Sequence, residues 1–486
     1  MDQPECFGSI RYITRVAPHR ISRDPQLIDP FVYQAMSDIW GDELLKSFVG
    51  YTRSFYTLAG HYQNLWNFGV PHLSRPSDRL YAEAVKITTQ AFRLDNPISS
   101  FGWDQLAQIP FIPSSSAGYG YHGKKGDNDN QNIAIGRAVY SLNAWMESEG
   151  NASTFRFTPY LAWTRTQLGL LENPKIRHVW GSAFHNLLLE GMSAAPLINA
   201  YANRGHPMII GIQMYHNLPV IIDQVLGTAD NKYVGIGTDL KNFDSSVRPW
   251  LIDDAFTILE SNLLFPDNQS KKAFEYSKVY FKTKPVVMPD GRMWSVNTGV
   301  PSGSYYTQLV DSICNHIATT YAQLCAFGEH FKTSVLGDDS IFGIPANTLL
   351  RYPNFLTDME SAYARLGMKL KPEDTIVANN PQQLEFLGHV ARGLTVDREL
   401  AKLLRLAVFT EQPITRPSLS LTRMKGLLID SALQHHSLVS LYRYMKSIYE
   451  TEEEDFPHED ANWLTSVMRI TVHPSNLDLA KIWCLT

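Results

Sequence analysis

The chain has 486 residues, 44% hydrophobic and 12% aromatic, with a formal net charge of −5. That is enough apolar material for a large core assembled from subdomains. The charge excludes a uniformly basic nucleic-acid binder, but not an enzyme with a basic tunnel inside a near-neutral shell. Cys6, Cys314, Cys325 and Cys484 are scattered with no CxxC spacing and read as reduced thiols in a cytosol-like compartment, not a disulfide frame or zinc site. Residues 1–20 are charged without an apolar stretch, so no signal peptide is expected. No apolar run reaches the ~18 residues of a membrane span.

In chain order, residues 1–110 carry no readable motif. Pro113 to Asp127 is rich in Ser, Gly and Lys and reads as a loop. Tyr233 to Thr238 is strand-like and runs into Asp239-Leu240-Lys241-Asn242-Phe243-Asp244, which puts one carboxylate at a strand end and a second past a turn. Ser245 to Phe265 suggests a helix, for which Asp239 or Asp244 is alternatively a cap. Gly299-Val300-Pro301-Ser302-Gly303-Ser304 is a loop opening a long helix, with an apolar stripe through Val310, Cys314, Ile317, Tyr321 and Leu324. Beside that stripe Thr307, Asp311 and Asn315 stack at i, i+4, i+8. They could offer hydroxyl, carboxylate and amide to a ribose, or simply face solvent.

Val335 to Phe342 holds two apolar runs around Gly337-Asp338-Asp339, a hairpin whose tip is the acidic pair. Asp239 and Asp338 could share two Mg²⁺ ions, which stabilise the attacking and leaving oxygens of a phosphoryl transfer. The segment after Ala401 reads mostly helical, as in Leu421 to Tyr449. Glu452 to Asp455 is an acidic run expected in a solvated loop. Short strands and longer helices without regular βαβ repetition make an α+β pattern.

The order Asp-x4-Asp, then Ser-Gly-x3-Thr-x3-Asp-x3-Asn, then Gly-Asp-Asp, with 63 residues from Asp239 to Ser302 and 36 from Ser302 to Asp338, resembles viral RNA-dependent RNA polymerases. The Gly-Val-Pro-Ser-Gly-Ser segment and the Ser after Gly-Asp-Asp point to those of the partitiviruses, small bisegmented double-stranded RNA viruses. The resemblance implies that Asp239 and Asp338 bind the catalytic metals, with Asp339 a lesser contributor, and that Asp244 senses the ribose 2′-hydroxyl. Ser302 and Gly303 match the mobile loop near the nascent base pair, and Thr307 matches the threonine that follows it. Many positive-strand virus polymerases carry Asn where this chain has Asp311. An ionised carboxylate only accepts hydrogen bonds, and beside Asp244 it would be a like-charge pair, with Thr307 or Asn315 as candidate donors.

By the same resemblance, Lys175 and Arg177 in Pro174 to Gly181, and more loosely Arg165, meet the triphosphate. Ser116, Ala117, Gly118 and Tyr119, followed by Lys124 and Lys125, would line the template path. Lys369 or Lys371 would protonate the departing pyrophosphate, the register between them being open. Leu384 to His389 would be a hairpin holding the primer strand, and Arg416, Arg423 and Lys425 could touch product RNA.

The expected fold is an α+β closed right hand, with a three-stranded antiparallel palm sheet and a helical thumb. Residues 1–110 would link fingertips to thumb and 111–230 form fingers. Residues 231–395 would be mainly palm, with a fingers insertion near 266–298, and 396–486 the thumb and C-terminal region. The expected activity is RNA-directed RNA polymerisation with Mg²⁺, or Mn²⁺ in its place. Expected partners are template and product RNA, ribonucleoside triphosphates and viral capsid protein, with no membrane, in the virion and host cytoplasm. The competing readings are a reverse transcriptase and an inactive RNA-binding virion protein with a palm fold.

Overall fold

The computed structural model describes residues 6–19, 21, 26–202, 205–212, 214–227 and 233–449. Its helices are α1 (Pro30–Trp40), α2 (Asp42–Lys46), α3 (Leu58–Trp66), α4 (Arg79–Ala91), α5 (Asn130–Glu147), α6 (Phe184–Tyr201), α7 (Met214–Leu226) and α8 (Phe243–Ser246). Then follow α9 (Pro249–Glu260), α10 (Asn268–Lys282), α11 (Thr307–Phe327), α12 (Ala346–Arg351), α13 (Phe355–Arg365), α14 (Leu400–Val408), α15 (Pro417–Asp430) and α16 (His436–Ile448). The acidic run at 452–455 and Cys484 lie outside the described residues. Among those described, no helix is long and apolar enough to cross a membrane.

A seven-stranded sheet contains β1 (Cys6–Phe7), β2 (Ile10–Arg15), β3 (Tyr51–Thr52), β5 (Tyr160–Leu170), β6 (Asn173–Gly181), β9 (Lys284–Val287) and β10 (Arg292–Val296). Residues far apart in the chain thus share one surface: β10 pairs with β2, β9 with β5, and β5 with β6. Two-residue strands β4 (Ile98–Ser99) and β8 (Leu263–Leu264) make a small parallel pair.

A second sheet has the order β11 (Thr333–Leu336), β12 (Asp339–Pro345), β7 (Tyr233–Thr238), β13 (Ile376–Ala378), all antiparallel. It has four strands, not the expected three, because the three-residue Ile-Val-Ala run of β13 joins β7. Glycines let other segments cross it closely. A Cβ on Gly343 would lie 1.9 Å from the Val225 carbonyl oxygen at the end of α7, and one on Gly235 would lie 2.3 Å from Leu384. A β-hairpin of β14 (Val390–Arg392) and β15 (Thr395–Asp397) follows. The Leu384–His389 segment expected as a hairpin is only a tight Phe386–His389 bridge leading into it.

The expected helix over Ser245 to Phe265 is split. Pro249 starts α9 at its first turn, and Arg248 before it is extended at ψ 150°, as a residue preceding proline tends to be. Helix α11 is buried on every face through most of its length rather than along one stripe, because it runs through the main core between α4, α9 and α13.

The N-terminal region bridges distant parts of the fold. While β2 extends the large sheet, Val32, Ala35 and Met36 of α1 share a separate apolar core with α14, α15 and α16. Asp29, fully buried, caps α1 by accepting from Phe31 N and Val32 N. The same carboxylate accepts Ser420 Oγ at 2.7 Å and Arg423 Nη1 at 2.5 Å. Arg423 is therefore a structural partner of Asp29, which corrects its reading as an RNA contact.

Candidate active site

The ladder between β7 and β12 ends with Thr238 opposite Ser340, whose hydroxyls are hydrogen-bonded. Asp239 follows Thr238 at the end of β7 and Asp339 precedes Ser340 at the start of β12, so both carboxylates stand at this end of the sheet. Gly337 and Asp338 form the two-residue turn between the paired Leu336 and Asp339, and Gly337 has φ +62°, a left-handed conformation that favours glycine. Asp338 thus stands at the tip while Asp339 begins β12, a correction to the expectation that both form the tip. The turn is clamped from α11: Gly337 N donates to Ser312 Oγ at 3.0 Å, and Asn315 Nδ2 donates to Gly337 O at 3.0 Å.

These carboxylates feel one another. The Asp339 carboxyl is pushed up to about 7 by the protein around it, then by Asp338, Asp239 and Glu385, with Arg177 easing the repulsion. Asp244, half-buried on α8, is also raised. Burial is the main cause, opposed by a hydrogen bond from Ser302 Oγ, while Asp338 raises it further and Arg177 lowers it. Lys371 Nζ donates to Asp239 Oδ2 at 2.9 Å and lies 3.2 Å from Asp374 Oδ2. Partial burial disfavours its charge, but these two carboxylates outweigh that and raise its pKa. Residues 369–371 run antiparallel to 239–241, with Leu240 opposite Leu370, Lys371 N bonded to Asp239 O and Lys241 N to Lys369 O. This register brings Lys371 to Asp239 and sets exposed Lys369 opposite Lys241.

A divalent cation fits this donor set. Three carboxylates gather at one sheet end, and a lysine ammonium is drawn to one of them. Among the described residues no three Asp, Glu, His or Cys side chains close into a full protein cage. A hard cation such as Mg²⁺ is usually held by one or two carboxylates with its other positions left to water and phosphate.

Strand β6 explains its own charges by alternation. Ile176, His178 and Trp180 are buried while Lys175 and Arg177 are exposed. Arg165 on β5 is registered directly opposite Arg177. Of the three, Arg177 is the one whose charge reaches Asp244 and Asp339.

The loop 299–305 packs between Asp244 and β6. Val300 N donates to Asp244 O and Trp180 N to Ser302 O, each at 2.8 Å. A Cβ on Gly303, at φ +131°, would lie 2.2 Å from the Trp180 carbonyl oxygen. Two buried ionisable groups that no motif announced hold its ends. Lys284 Nζ donates to Gly299 O at 2.8 Å. Glu190 accepts Ser304 Oγ at 2.9 Å and Tyr305 N at 3.0 Å. Burial pushes the Glu190 carboxyl up to about 7, against the opposing effect of these two donors. Glu190 carried a signal, being the lone charge in the apolar run Leu187 to Met192. Lys284 carried none.

Several expected ligand contacts are instead internal. The Thr307 hydroxyl donates to Pro301 O or Ser304 O, each at 2.9 Å, and accepts Gly303 N, so it shapes the loop. Asn315 spends its amide on Gly337 and accepts the Thr319 hydroxyl at 3.0 Å. The Thr307 hydroxyl hydrogen is thus committed to the loop, and one Asn315 N–H to the turn. Asp311 is buried with Oδ1 lacking a partner among the described residues. Its carboxyl is raised well above the usual range by burial, then by Asp244 and Asp338.

In the 113–127 loop, Ser116, Lys124 and partly Tyr119 face outward, but Ala117, Gly118 and Lys125 are buried. Lys125 Nζ donates to Ser115 Oγ at 2.6 Å and Ser116 O at 3.0 Å. A Cβ on Gly118 would lie 2.6 Å from Ser182 O. Those three residues build the loop and do not present themselves to a template, which corrects that reading.

The fold is shared with solved viral polymerases. The RNA-dependent RNA polymerase of a human picobirnavirus superposes with a TM-score of 0.66 at 14% identity, covering 87% of this chain and 86% of the other. Its insertion-loop deletion mutant gives a TM-score of 0.65 at 15% identity, covering 92% and 91%. The α+β right-hand architecture is thus that of a viral polymerase. Residues 26–448 match the sequence family described as Viral RNA-dependent RNA polymerase, and the chain belongs to that family. Among curated relatives, the RNA-directed RNA polymerase of Cryptosporidium parvum virus 1 (strain KSU-1) is 32% identical over 141 residues, 28% of this chain and 26% of the relative. That of White clover cryptic virus 1 (isolate Boccardo/2004) is 25% identical over 175 residues, 34% of this chain and 28% of the relative. The matched stretches therefore span about a quarter of these relatives' length.

Proposed function

We propose that this chain is an RNA-directed RNA polymerase that transcribes and replicates a viral RNA genome, transferring nucleoside monophosphates to an RNA 3′-hydroxyl with release of pyrophosphate. The observation that supports it best is the sheet end shared by Asp239, Asp338 and Asp339, where the charge of Arg177 reaches Asp339 and Ser302 bonds to Asp244. Asp239 and Asp338 are the residues to hold Mg²⁺ or Mn²⁺, with Asp339 in support. Bound there, the metals would lower the cost of deprotonating the 3′-hydroxyl and neutralise charge on the phosphate.

The protein's own groups do the rest. Arg177, with Lys175 and Arg165 along the strands, binds and orients the triphosphate. Asp244, held by Ser302, accepts the ribose 2′-hydroxyl. Lys371 is the general acid for the pyrophosphate, being the lysine whose ammonium reaches Asp239 at the sheet end. Ser116, Lys124 and Tyr119 are left to meet the template. We assign 111–230 to fingers, 231–395 to palm with the 266–298 insertion, and the described helices after 396 to the thumb. RNA, ribonucleoside triphosphates and capsid protein are the proposed partners, in the virion and host cytoplasm.

The test is incorporation of labelled ribonucleotides on a single-stranded RNA template with Mg²⁺ or Mn²⁺, beside Asp338→Ala. Template-dependent product lost in the variant supports the assignment. Template binding by the native chain without any product would favour an inactive RNA-binding protein.

A further inference from the structure

Outside the catalytic centre, an open cavity of about 680 Å³ lies along α5, between the 113–127 loop and the segment 148–158. Its walls include Arg137, Arg156, Tyr119, Tyr140 and Thr154, and no aspartate or glutamate lines it. In a chain of net charge −5, a hollow with two arginines and no carboxylate is a local positive surface, attractive to phosphate. Arg137 is held in place: its guanidinium sits 4.4 Å from the Tyr121 ring centroid, and Nη1 donates to Gly120 O at 2.7 Å. A cation fixed this way loses little freedom when an anion arrives. Arg156 is exposed and makes no ion pair among the described residues. Tyr140 leaves 75% of its surface in water on a helix that otherwise buries Ala134, Ala138 and Leu142. The floor is rigid, because buried His185 shares hydrogen bonds with Tyr121 (3.0 Å) and Thr158 (3.1 Å).

Arginines for phosphates beside an exposed aromatic face for a base are the chemistry of a single-strand nucleic-acid site. A mononucleotide is a poorer fit, since the hollow is open and a nucleotide pocket encloses most of its ligand. The Tyr119–Gly120 wall belongs to the same loop as exposed Ser116 and Lys124.

We propose that this cavity binds single-stranded RNA, gripping the stretch of template not yet copied, with a base stacked on Tyr140 and its phosphates on Arg137 and Arg156. The template role rests on the polymerase reading; the RNA-binding claim is tested apart from it. Tyr140→Ala and Arg156→Ala alter exposed side chains outside the catalytic machinery. Fluorescence anisotropy with labelled, unstructured oligoribonucleotides would compare a short strand (about 6 nucleotides) with one of about 24, longer than the usual single-strand footprint.

For the long strand, Tyr140→Ala should weaken binding roughly tenfold, the size of one lost stack. Arg156→Ala should flatten the slope of log K against log salt by about 0.7, one phosphate contact. Binding of the short strand, and incorporation directed by a short template, should match the native chain. Unchanged affinity for the long strand in both variants overturns the proposal. So does an equal loss on both lengths, which would mean a general defect, or a tenfold loss of ATP binding in either variant, which would mean a nucleotide pocket. A native chain that incorporates nothing on either template would sink the polymerase reading while the anisotropy result still decides the site.

Discussion

Glu190 Oε1 accepts the Ser304 hydroxyl at 2.9 Å, so a fully buried carboxylate on α6 holds the loop that delivers Ser302 to Asp244. The partner contact, Glu190 Oε2 with Tyr305 N at 3.0 Å, fixes the backbone next door. Both donors favour the charged form of a group whose pKa burial has nonetheless raised to about 7. Between the ordinary glutamate range and that value the folded protein binds one more proton than the unfolded chain, so stability falls as pH rises through this window. The loss is about 3 kcal/mol. Glu190→Gln, which cannot ionise, should abolish this part of the pH dependence. Urea unfolding at about pH 5 and about pH 8 would measure it; parallel losses in both proteins would contradict the assignment.

Lys371 and Lys369 make a matched pair of controls. Lys371 touches Asp239 at 2.9 Å, whereas Lys369 is exposed and opposite Lys241. Lys371→Ala is expected to slow single-turnover incorporation by about a hundredfold, within the usual range for general acid catalysis. Lys369→Ala should stay within about twofold. Equal effects would remove the distinction the register makes.

Asp311 and Asn315, four residues apart on α11, should respond in opposite ways. Burial, then Asp244 and Asp338, all disfavour the charged form of Asp311, so Asp311→Asn puts an uncharged group of nearly the same shape where a charge is disfavoured. Unfolding free energy should change by less than about 1 kcal/mol, and ribose selection should persist. Asn315→Ala removes the donor to Gly337 O and should cost about 1–3 kcal/mol. It should also lower incorporation at least about tenfold by loosening the turn that carries Asp338. Ribonucleotide against deoxyribonucleotide incorporation, with unfolding, checks both.

Gly303→Ala should be more damaging than its single methyl suggests. The added atom meets the Trp180 carbonyl oxygen at 2.2 Å with φ at +131°, and a backbone oxygen in a strand cannot swing aside. Incorporation should fall by more than about tenfold while far-UV circular dichroism stays native. Full activity would show that the loop leaves β6 in the working state.

The positions of Asp239 and Asp338 were legible because their neighbours carry strand and turn chemistry: Tyr233 to Thr238 leads straight to Asp239, and Gly337 marks the turn that lifts Asp338. The charged alternation on β6 was legible for the same reason, as Ile176 and His178 point in while Lys175 and Arg177 point out. What failed were inferences from residue type to exposure. Lys125 reads as a surface cation, yet it folds back onto Ser115 and Ser116. Thr307 and Asn315 do share a helix face, but helical spacing says nothing of what covers that face, here the loop at Pro301 and the turn at Gly337. Glu190 and Lys284 act on backbone atoms 115 and 15 residues away, respectively, and neither contact leaves a periodic trace in the chain.

The clasp between Asp29 and Arg423 joins residues 394 positions apart, and that separation has a consequence during synthesis. At roughly 5–20 residues added per second, about 20–80 s pass between the addition of Asp29 and that of its partner. Through that interval Val32, Ala35 and Met36 have none of α14, α15 or α16 to cover them. The nascent chain therefore carries an uncovered apolar helix until its last third is complete, and a ribosome stalled before residue 423 would leave a product with a sticky end, ready to be bound by a chaperone or to aggregate.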